Sequence, residues 1–181
     1  MSFRNSNIRT VSGALLVLLF AFTSCSSGGT KIIDGISAHA GPADEPAKPK
    51  FDNSNVAALY DHYLHIKDAL ANSDPKEAKL GALALQSVVK TTKNAKAFTL
   101  AGNIARATGL AVQRASFSAL STEVEELIRS STIKSGVIYK QYCPMAKNGS
   151  GAYWLSSEVD TRNPYYGKVI AGCGEVAEEI N

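Results

Sequence analysis

The sequence predicts a mainly α-helical domain: a four-helix, up-and-down bundle followed by a C-terminal β-hairpin and a short helix. Two observations lead to this prediction. Apolar residues recur every three to four positions over residues 56–127, which is the spacing of one helix face. From Gly136 to Cys143 the chain is β-branched and aromatic, and the turn signal Asn148-Gly149-Ser150-Gly151 follows before Ala152-Tyr153-Trp154-Leu155.

The first two predicted helices are separated by Asn72-Ser73-Asp74-Pro75. Asp74 is a natural N-cap, Pro75 suits the first helical position, and Glu77 completes a pattern like a capping box. The inward positions predicted for the first helix are Val56, Leu59, Tyr60, Tyr63, Ile66 and Leu70, and those for the second are Leu80, Leu83, Leu85, Val88 and Val89.

A third helix is predicted from Ala95 to Ala107, and Gly109 separates it from a fourth. The inward residues of the third are Phe98, Ala101, Ile104 and Ala105, and those of the fourth are Leu110, Phe117, Leu120, Val124 and Leu127. After the hairpin, Asn163-Pro164 and Gly167 mark a turn, and a short helix is predicted around Lys168 to Ala171.

The N-terminal residues follow the three-part pattern of a secretory signal. Arg4 and Arg9 precede an uncharged apolar run from Gly13 to Phe22. A run of about ten apolar residues is half of what a bilayer-spanning helix needs, so a transmembrane segment is the weaker interpretation. Thr23-Ser24-Cys25 then resembles the site at which bacterial lipoproteins are cut before an acylated cysteine, although Phe22 replaces the usual Leu.

The chain is therefore divided into a signal peptide (1–24), a flexible tether from a lipidated Cys25 (25–52) and one folded domain (53–181). Proline and charge between Gly41 and Lys50 favour an extended, solvated tether. Two or more acyl chains anchor a protein stably. We expect a periplasm-facing lipoprotein of the cell envelope, held at the outer membrane; the alternative is a secreted protein with a spare cysteine.

Charge and motifs exclude some classes of function. Loss of Arg4 and Arg9 with the signal changes the net charge from +3 to +1 (3 − 2), which gives no reason to expect a nucleic-acid partner. No nucleophile elbow, phosphate-binding glycine loop or zinc-protease helix is present, and no third group is identifiable that would orient a Cys143–His62 pair. We expect a protein that is not an enzyme.

Cys143 and Cys173 admit three interpretations. They form a structural disulfide in an oxidising compartment, worth about 3 kcal/mol for a loop of about 30 residues; they are ligands of a soft metal; or they are free buried thiols. Met145 lies two residues after Cys143, so both point to one side of an extended segment, and thiolates and thioethers select Cu(I). His62 and His65, three apart on the first helix, are further candidate ligands.

Several segments resemble a family of unknown function. In the tail these are Tyr142-Cys143-Pro144-Met145-Ala146, Gly151-Ala152-Tyr153-Trp154-Leu155-Ser156, Arg162-Asn163-Pro164-Tyr165-Tyr166-Gly167 and Cys173-Gly174-Glu175-Val176; in the helical half, Tyr63 to Leu70 and Gln113-Arg114 with Phe117 and Leu120-Ser121. Members occur as free-standing lipoproteins, mainly in Bacteroidetes-like bacteria, and as a domain appended to periplasmic adaptor subunits of heavy-metal efflux pumps. The resemblance covers roughly residues 56 to 180. It implies a location near metal export.

The Cys-Pro-Met run is also similar to the start of a small heavy-metal-binding domain of copper-efflux proteins, in which a histidine follows the methionine. Here Ala146 follows instead. The sequence thus predicts an accessory module that binds Cu(I) or another soft metal through Cys143, Cys173 and Met145, with an efflux adaptor as partner. The alternative is a disulfide-stapled protein-interaction module that binds no metal.

Overall fold

The computed structural model describes residues 48–92, 94–170 and 172–181. The predicted signal peptide, Cys25 and the tether up to residue 47 lie outside the described residues. Within these ranges, none of the helices has the length and apolar character needed to cross a membrane.

Four helices form the body of the domain: α1 (Ser54–Ala71), α2 (Pro75–Thr92), α3 (Ala95–Arg106) and α4 (Leu110–Arg129). Each helix packs against the next one along the chain, and α4 also contacts α1. The predicted mainly α architecture is confirmed, and α3 ends one residue before the predicted Ala107.

Short polar side chains start three of these helices. Asn53 Oδ1 accepts from the backbone N–H of Asn55 (2.9 Å), and Asn94 Oδ1 accepts from that of Ala97 (2.9 Å). Asp74 Oδ1 accepts from the N–H groups of Lys76 and Glu77, at 2.9 and 3.0 Å, which confirms the predicted cap. The Glu77 carboxylate does not complete the predicted capping box, because it bonds His65 Nε2 of α1 instead (2.9 Å).

The inward faces of α1 and α4 agree with the sequence pattern, whereas those of α2 and α3 differ in part. Leu80 and Leu83 of α2 are 53% and 46% exposed, and Phe98 of α3 is also exposed, so these three predictions were wrong. The buried face of α2 is instead Ala78, Gly81, Ala82, Leu85 and Val89. Small residues let α2 approach α1 closely: a Cβ on Gly81 would lie 3.0 Å from Ile66 Cγ1.

A two-stranded antiparallel pair joins the beginning of the domain to the end of the bundle. It consists of β1 (Lys50–Phe51) and β2 (Ile133–Ser135). The Phe51 ring lies edge-on to that of Tyr60, with centroids 5.8 Å apart. The folded part therefore starts by Lys50, inside the segment predicted as tether, because Phe51 provides an apolar anchor within an otherwise polar run.

The C-terminal part is a three-stranded antiparallel sheet in the order β4-β3-β5. β3 (Ile138–Cys143) and β4 (Ala152–Ser156) form the predicted hairpin, and β5 (Glu175–Ile180) adds a strand that the sequence pattern did not predict. The predicted short helix is a 3₁₀ turn over Gly167–Ile170.

The two faces of the sheet have different neighbours. Side chains alternate along a strand, so Lys140 shares one face with Tyr153 and Leu155, and Gln141 shares the other with Trp154. The first face meets α4, where Lys140 Nζ lies 2.8 Å from Glu125. The second face is bonded, through Gln141 and Cys143, to the segment that follows β4, residues 157–170 and 172–173, which we call the strap.

Candidate functional site

A disulfide joins the sheet to the strap. Cys143, at the end of β3, is fully buried and is bonded to Cys173, which is partly buried and lies 30 positions further along the chain. Their Cα atoms are 5.6 Å apart, within the normal range for disulfides. Of the three interpretations left open by the sequence, the structure displays the disulfide.

Two more side chains of the same sheet face hold the strap. Gln141 Nε2 donates to the carbonyl oxygens of Glu158 (2.9 Å) and Val159 (3.1 Å). The Trp154 ring lies so close to Gly174 that a Cβ there would be 2.9 Å from Trp154 Cη2. Glycine is therefore required next to Cys173 for the chain to cross the indole.

Within the strap, the segment from Arg162 to Gly167 forms hydrogen bonds to other strap residues and to the turn after β3. Asn163 Oδ1 accepts from the backbone N–H of Tyr165 (2.8 Å), and Asn163 Nδ2 donates to the Cys173 carbonyl (2.7 Å). Tyr166 donates its hydroxyl to the Met145 carbonyl. The polar groups of Asn163 and Tyr166 are thus used in internal hydrogen bonds. These bonds account for the presence of both residue types in the motif.

Arg114 of α4 connects the strap to the end of α1. Its Nε donates to the Pro164 carbonyl (2.8 Å), and its Nη2 donates to the Leu70 carbonyl (3.1 Å) and to Ser73 Oγ (3.2 Å). Partial burial lowers the pKa of the guanidinium. Arg114 therefore adds a side-chain donor to the Leu70 carbonyl at the C-terminal end of α1, which also accepts from the Ser73 N–H (3.0 Å).

Lys67 and Asp68, within the helical segment that carries the resemblance, are also used structurally. Lys67 is buried, and its Nζ lies 3.0 Å from Asp68 Oδ1 and 3.4 Å from Ser156 Oγ at the end of β4. Arg162 of the strap approaches the same Asp68 oxygen at 3.2 Å. These contacts connect α1, β4 and the strap through charged groups.

Buried tyrosine hydroxyls close the outer edge of β4. Tyr63 accepts a hydrogen bond from the Leu155 N–H (3.0 Å) and pairs with Ser121 Oγ (2.8 Å), while Tyr165 donates to the Tyr153 carbonyl (2.7 Å). Burial raises the pKa of both phenols well above the usual value for tyrosine. The two rings replace the neighbouring strand that this edge lacks.

The other predicted ligands lie in different surroundings. Met145 is 46% exposed. His65 is exposed and bonds Glu77, and His62 is half-buried on the same helix. Across residues 48–92, 94–170 and 172–181, no three or more His, Cys, Asp or Glu side chains form a group that could hold a metal ion.

A polar groove lies between α4 and the sheet, with a volume of about 260 Å³. On α4 its wall is formed by Ser118, Ser121, Thr122 and Glu125, which share one helix face. This stripe faces the sheet, where an apolar surface is the usual choice. Polar residues at these positions leave an open groove beside the core.

The opposite wall contains two lysines and an exposed aromatic ring. Lys140 Nζ lies 4.8 Å from the centroid of the Tyr153 ring, which is 47% exposed. Lys147 lines the groove from the turn between β3 and β4. This turn is left-handed at Lys147 (φ 53°), Asn148 (φ 58°) and Gly149 (φ 88°), and of these three Lys147 is the residue type that adopts the conformation at a cost.

The groove was not predicted from the sequence. The available signal was the spacing of Ser118, Ser121, Thr122 and Glu125, which places a second, polar stripe beside the apolar one on α4. This polar stripe forms a groove only because the sheet packs beside it on α4. The position of the hairpin relative to α4 is not encoded in the local sequence pattern.

The class defined by these features is a mainly helical domain whose C-terminal sheet is joined to the strap by a disulfide and bordered by a groove. A family model described as "Protein of unknown function (DUF3347)" matches residues 59–136. This range runs from within α1 to just beyond β2, so that part of the chain is similar to a family of unknown function. No curated protein and no solved structure matches the chain.

Proposed function

We propose that this protein is a disulfide-stapled binding module of the bacterial cell envelope, which acts by docking a partner protein and catalyses no reaction. The observation that supports this proposal is the buried Cys143–Cys173 disulfide, which joins the centre of the sheet to the strap. A disulfide removes the two thiolates that a soft-metal site would use, and it is typical of proteins in oxidising compartments.

The location follows from residues outside the described part of the chain. An acylated Cys25 would anchor the domain at the outer membrane, facing the periplasm, with residues 26–49 as the tether. The resemblance to domains of heavy-metal efflux adaptors makes such an adaptor the partner that we propose.

Binding of a soft metal such as Cu(I) is the second candidate, and one observation favours it. The fold brings the sulfur atoms of Cys143 and Cys173 together, so reduction of the disulfide would release two thiols at one place. Thiolates are preferred ligands of Cu(I). Met145 is the third sulfur that this proposal assigns, and His62 and His65 are further candidates.

Intact mass and thiol titration of the full chain, purified without reductant, distinguish the two functions. The chain has three cysteines. Acylation of Cys25 through its sulfur leaves only Cys143 and Cys173 to be counted. No reactive thiol, a mass lower by two hydrogens and no retained Cu(I) are the results expected of a stapled module.

Two free thiols that become protected as one equivalent of Cu(I) binds would refute the stapled module and support the metal function. In that case Cys143→Ser and Met145→Leu would show which sulfur atoms hold the ion. His65→Gln would test a further candidate whose ring is bonded to Glu77, and Lys168→Gln, at an exposed position outside the candidate ligands, is the control.

A further inference from the structure

The groove between α4 and β4 carries an excess of positive charge. Lys140 and Lys147 line it, and Glu125 is the single acidic residue among its lining side chains, so the sum is +1 (2 − 1). Glu125 is already paired with Lys140 (2.8 Å) and with Arg129 (2.9 Å). Among the residues that the structure describes, Lys147 forms no ion pair.

A hydrogen-bond donor stands opposite this free ammonium group. Thr122 of α4 lines the groove, whereas the Ser118 hydroxyl bonds Tyr165 and the Ser121 hydroxyl is used by Tyr63 and by the Phe117 carbonyl. A lysine and a threonine on facing walls suit a carboxylate, which only accepts hydrogen bonds.

The backbone at Lys147 gives independent support. A left-handed conformation at a non-glycine residue costs about 1–2 kcal/mol. Lys147 adopts it in the turn that places the lysine at the groove, beside Asn148 and Gly149, which are residue types that tolerate it. Strained backbone of this sort clusters at ligand-binding positions.

We propose that the groove binds a carboxylate side chain from an acidic segment of a partner protein, with Lys147 as its counter-ion. The inference rests on the proposed function and names the chemistry of the docked partner. A volume of about 260 Å³ is smaller than a typical small-molecule pocket and suits one or two side chains. The half-exposed Tyr153 at its rim is a residue type enriched at protein interfaces.

Isothermal titration calorimetry provides a direct readout that does not depend on the Trp154 ring, which lies on the opposite face of the sheet. The full chain, in a zwitterionic detergent and without reductant, is titrated with a hexaglutamate peptide that is acetylated and amidated. Hexaglutamine is the neutral control peptide, and succinate is the small free carboxylate. We expect a saturable heat of binding with hexaglutamate alone, weakened by added salt.

Lys147→Gln removes the charge and keeps a long polar side chain at an exposed position. We expect it to weaken hexaglutamate binding about fivefold, the effect of losing one partly exposed ion pair. Lys168→Gln, on the exposed 3₁₀ turn, is the matched control and should bind as the unmodified chain does. Circular dichroism checks that both variants are folded.

Three results would overturn the inference: equal binding of hexaglutamine, equal affinity of Lys147→Gln and the unmodified chain, or no heat of binding with either peptide. Succinate binding as tightly as hexaglutamate would refute a protein segment as the source of the carboxylate. Thiol titration of the same sample tests the proposed function separately, since a reduced, copper-loaded chain would be seen there whatever the peptides do.

Discussion

Gly167 lies where a side chain would collide with two neighbours. Its φ is +58°, and a Cβ would be 2.3 Å from Ser73 Oγ and 2.7 Å from Arg114 Nη2. The strap therefore passes over the α1–α2 turn only because this residue has no side chain. Arg114 must then keep its position to bond both segments.

We expect Gly167→Ala to lower the free energy of unfolding by about 2–3 kcal/mol, because it adds a clash to a strained backbone conformation. Gly172→Ala is the control, since a Cβ there has open space around it. Urea unfolding followed by tryptophan fluorescence compares the two variants. Equal stability would show that the strap can leave the α1–α2 turn without cost.

The Tyr63 hydroxyl is a single group that joins three elements. It bonds Ser121 of α4 and the Leu155 N–H of β4, and its ring stacks on Phe117 with centroids 5.1 Å apart. Tyr63→Phe keeps the ring and leaves a buried N–H without its partner.

We predict that Tyr63→Phe destabilises the domain by about 1–3 kcal/mol, the cost of an unsatisfied buried donor. Tyr142→Phe is the matched change on β3, where the phenol oxygen forms no hydrogen bond within the described part of the chain. Chemical denaturation measures both. An equally large loss of stability in Tyr142→Phe would mean that removal of a phenol hydroxyl, rather than of the hydrogen bond to β4, causes the effect.

The contact between helices and sheet also predicts a pH dependence. Burial raises the pKa of Tyr60, Tyr63 and Tyr165 above the unfolded value of about 10. A raised folded-state pKa contributes stability that is fully present below pH 10 and is lost as the pH rises through the folded pKa. These groups should therefore cause no change in the free energy of unfolding near neutral pH and should lower it in strong base.

We expect the free energy of unfolding to fall above about pH 10 by up to roughly 4 kcal/mol per pH unit, about 1.4 for each of three buried phenols. Tyrosinate absorbance and far-ultraviolet circular dichroism, recorded together against pH, measure ionisation and unfolding. Ionisation of all the tyrosines before any loss of helix signal would contradict the assigned burial.

The β-sheet is held against the bundle by links at several points along its length. Arg129 connects α4 to Glu178 of β5 (2.7 Å), the tyrosine hydroxyls hold β4, and the disulfide holds the strap over the far face. The disulfide is the covalent link among these, and it closes the segment that contains β4 and the strap. Its removal should therefore affect the stability of the entire domain.

Cys143→Ala combined with Cys173→Ala should lower the free energy of unfolding by roughly 3–4 kcal/mol, from the regained chain entropy of a 30-residue loop. Reductant should lower the stability of the unmodified chain by a similar amount and leave the double variant unchanged. Unfolding curves with and without reductant check this. Insensitivity of the unmodified chain to reductant would mean that the cysteines are not paired in solution.

The helices and the hairpin turn were largely predictable from the sequence, because interactions between neighbouring residues determine them. The apolar stripes of α1 and α4, the Asp74 cap and the β3–β4 turn each depend on residues close together in the chain. The prediction was wrong where a helix packs through small residues, as at Gly81 and Ala82 of α2, since large apolar residues dominate a periodicity count.

The sequence alone specified a mainly helical domain with a cysteine-bearing hairpin, since hydrophobic period and turn residues act over a few positions. It left the fate of Cys143 and Cys173 open, and it did not reveal β5, the strap or the groove. The disulfide, the groove and the strap depend on residues 29 or more positions apart: Cys143 with Cys173, Ser118 with Lys147, Arg114 with Pro164. Such contacts form only in the tertiary structure. They could not be predicted because no local pattern encodes which distant surface a half-buried element will pack against.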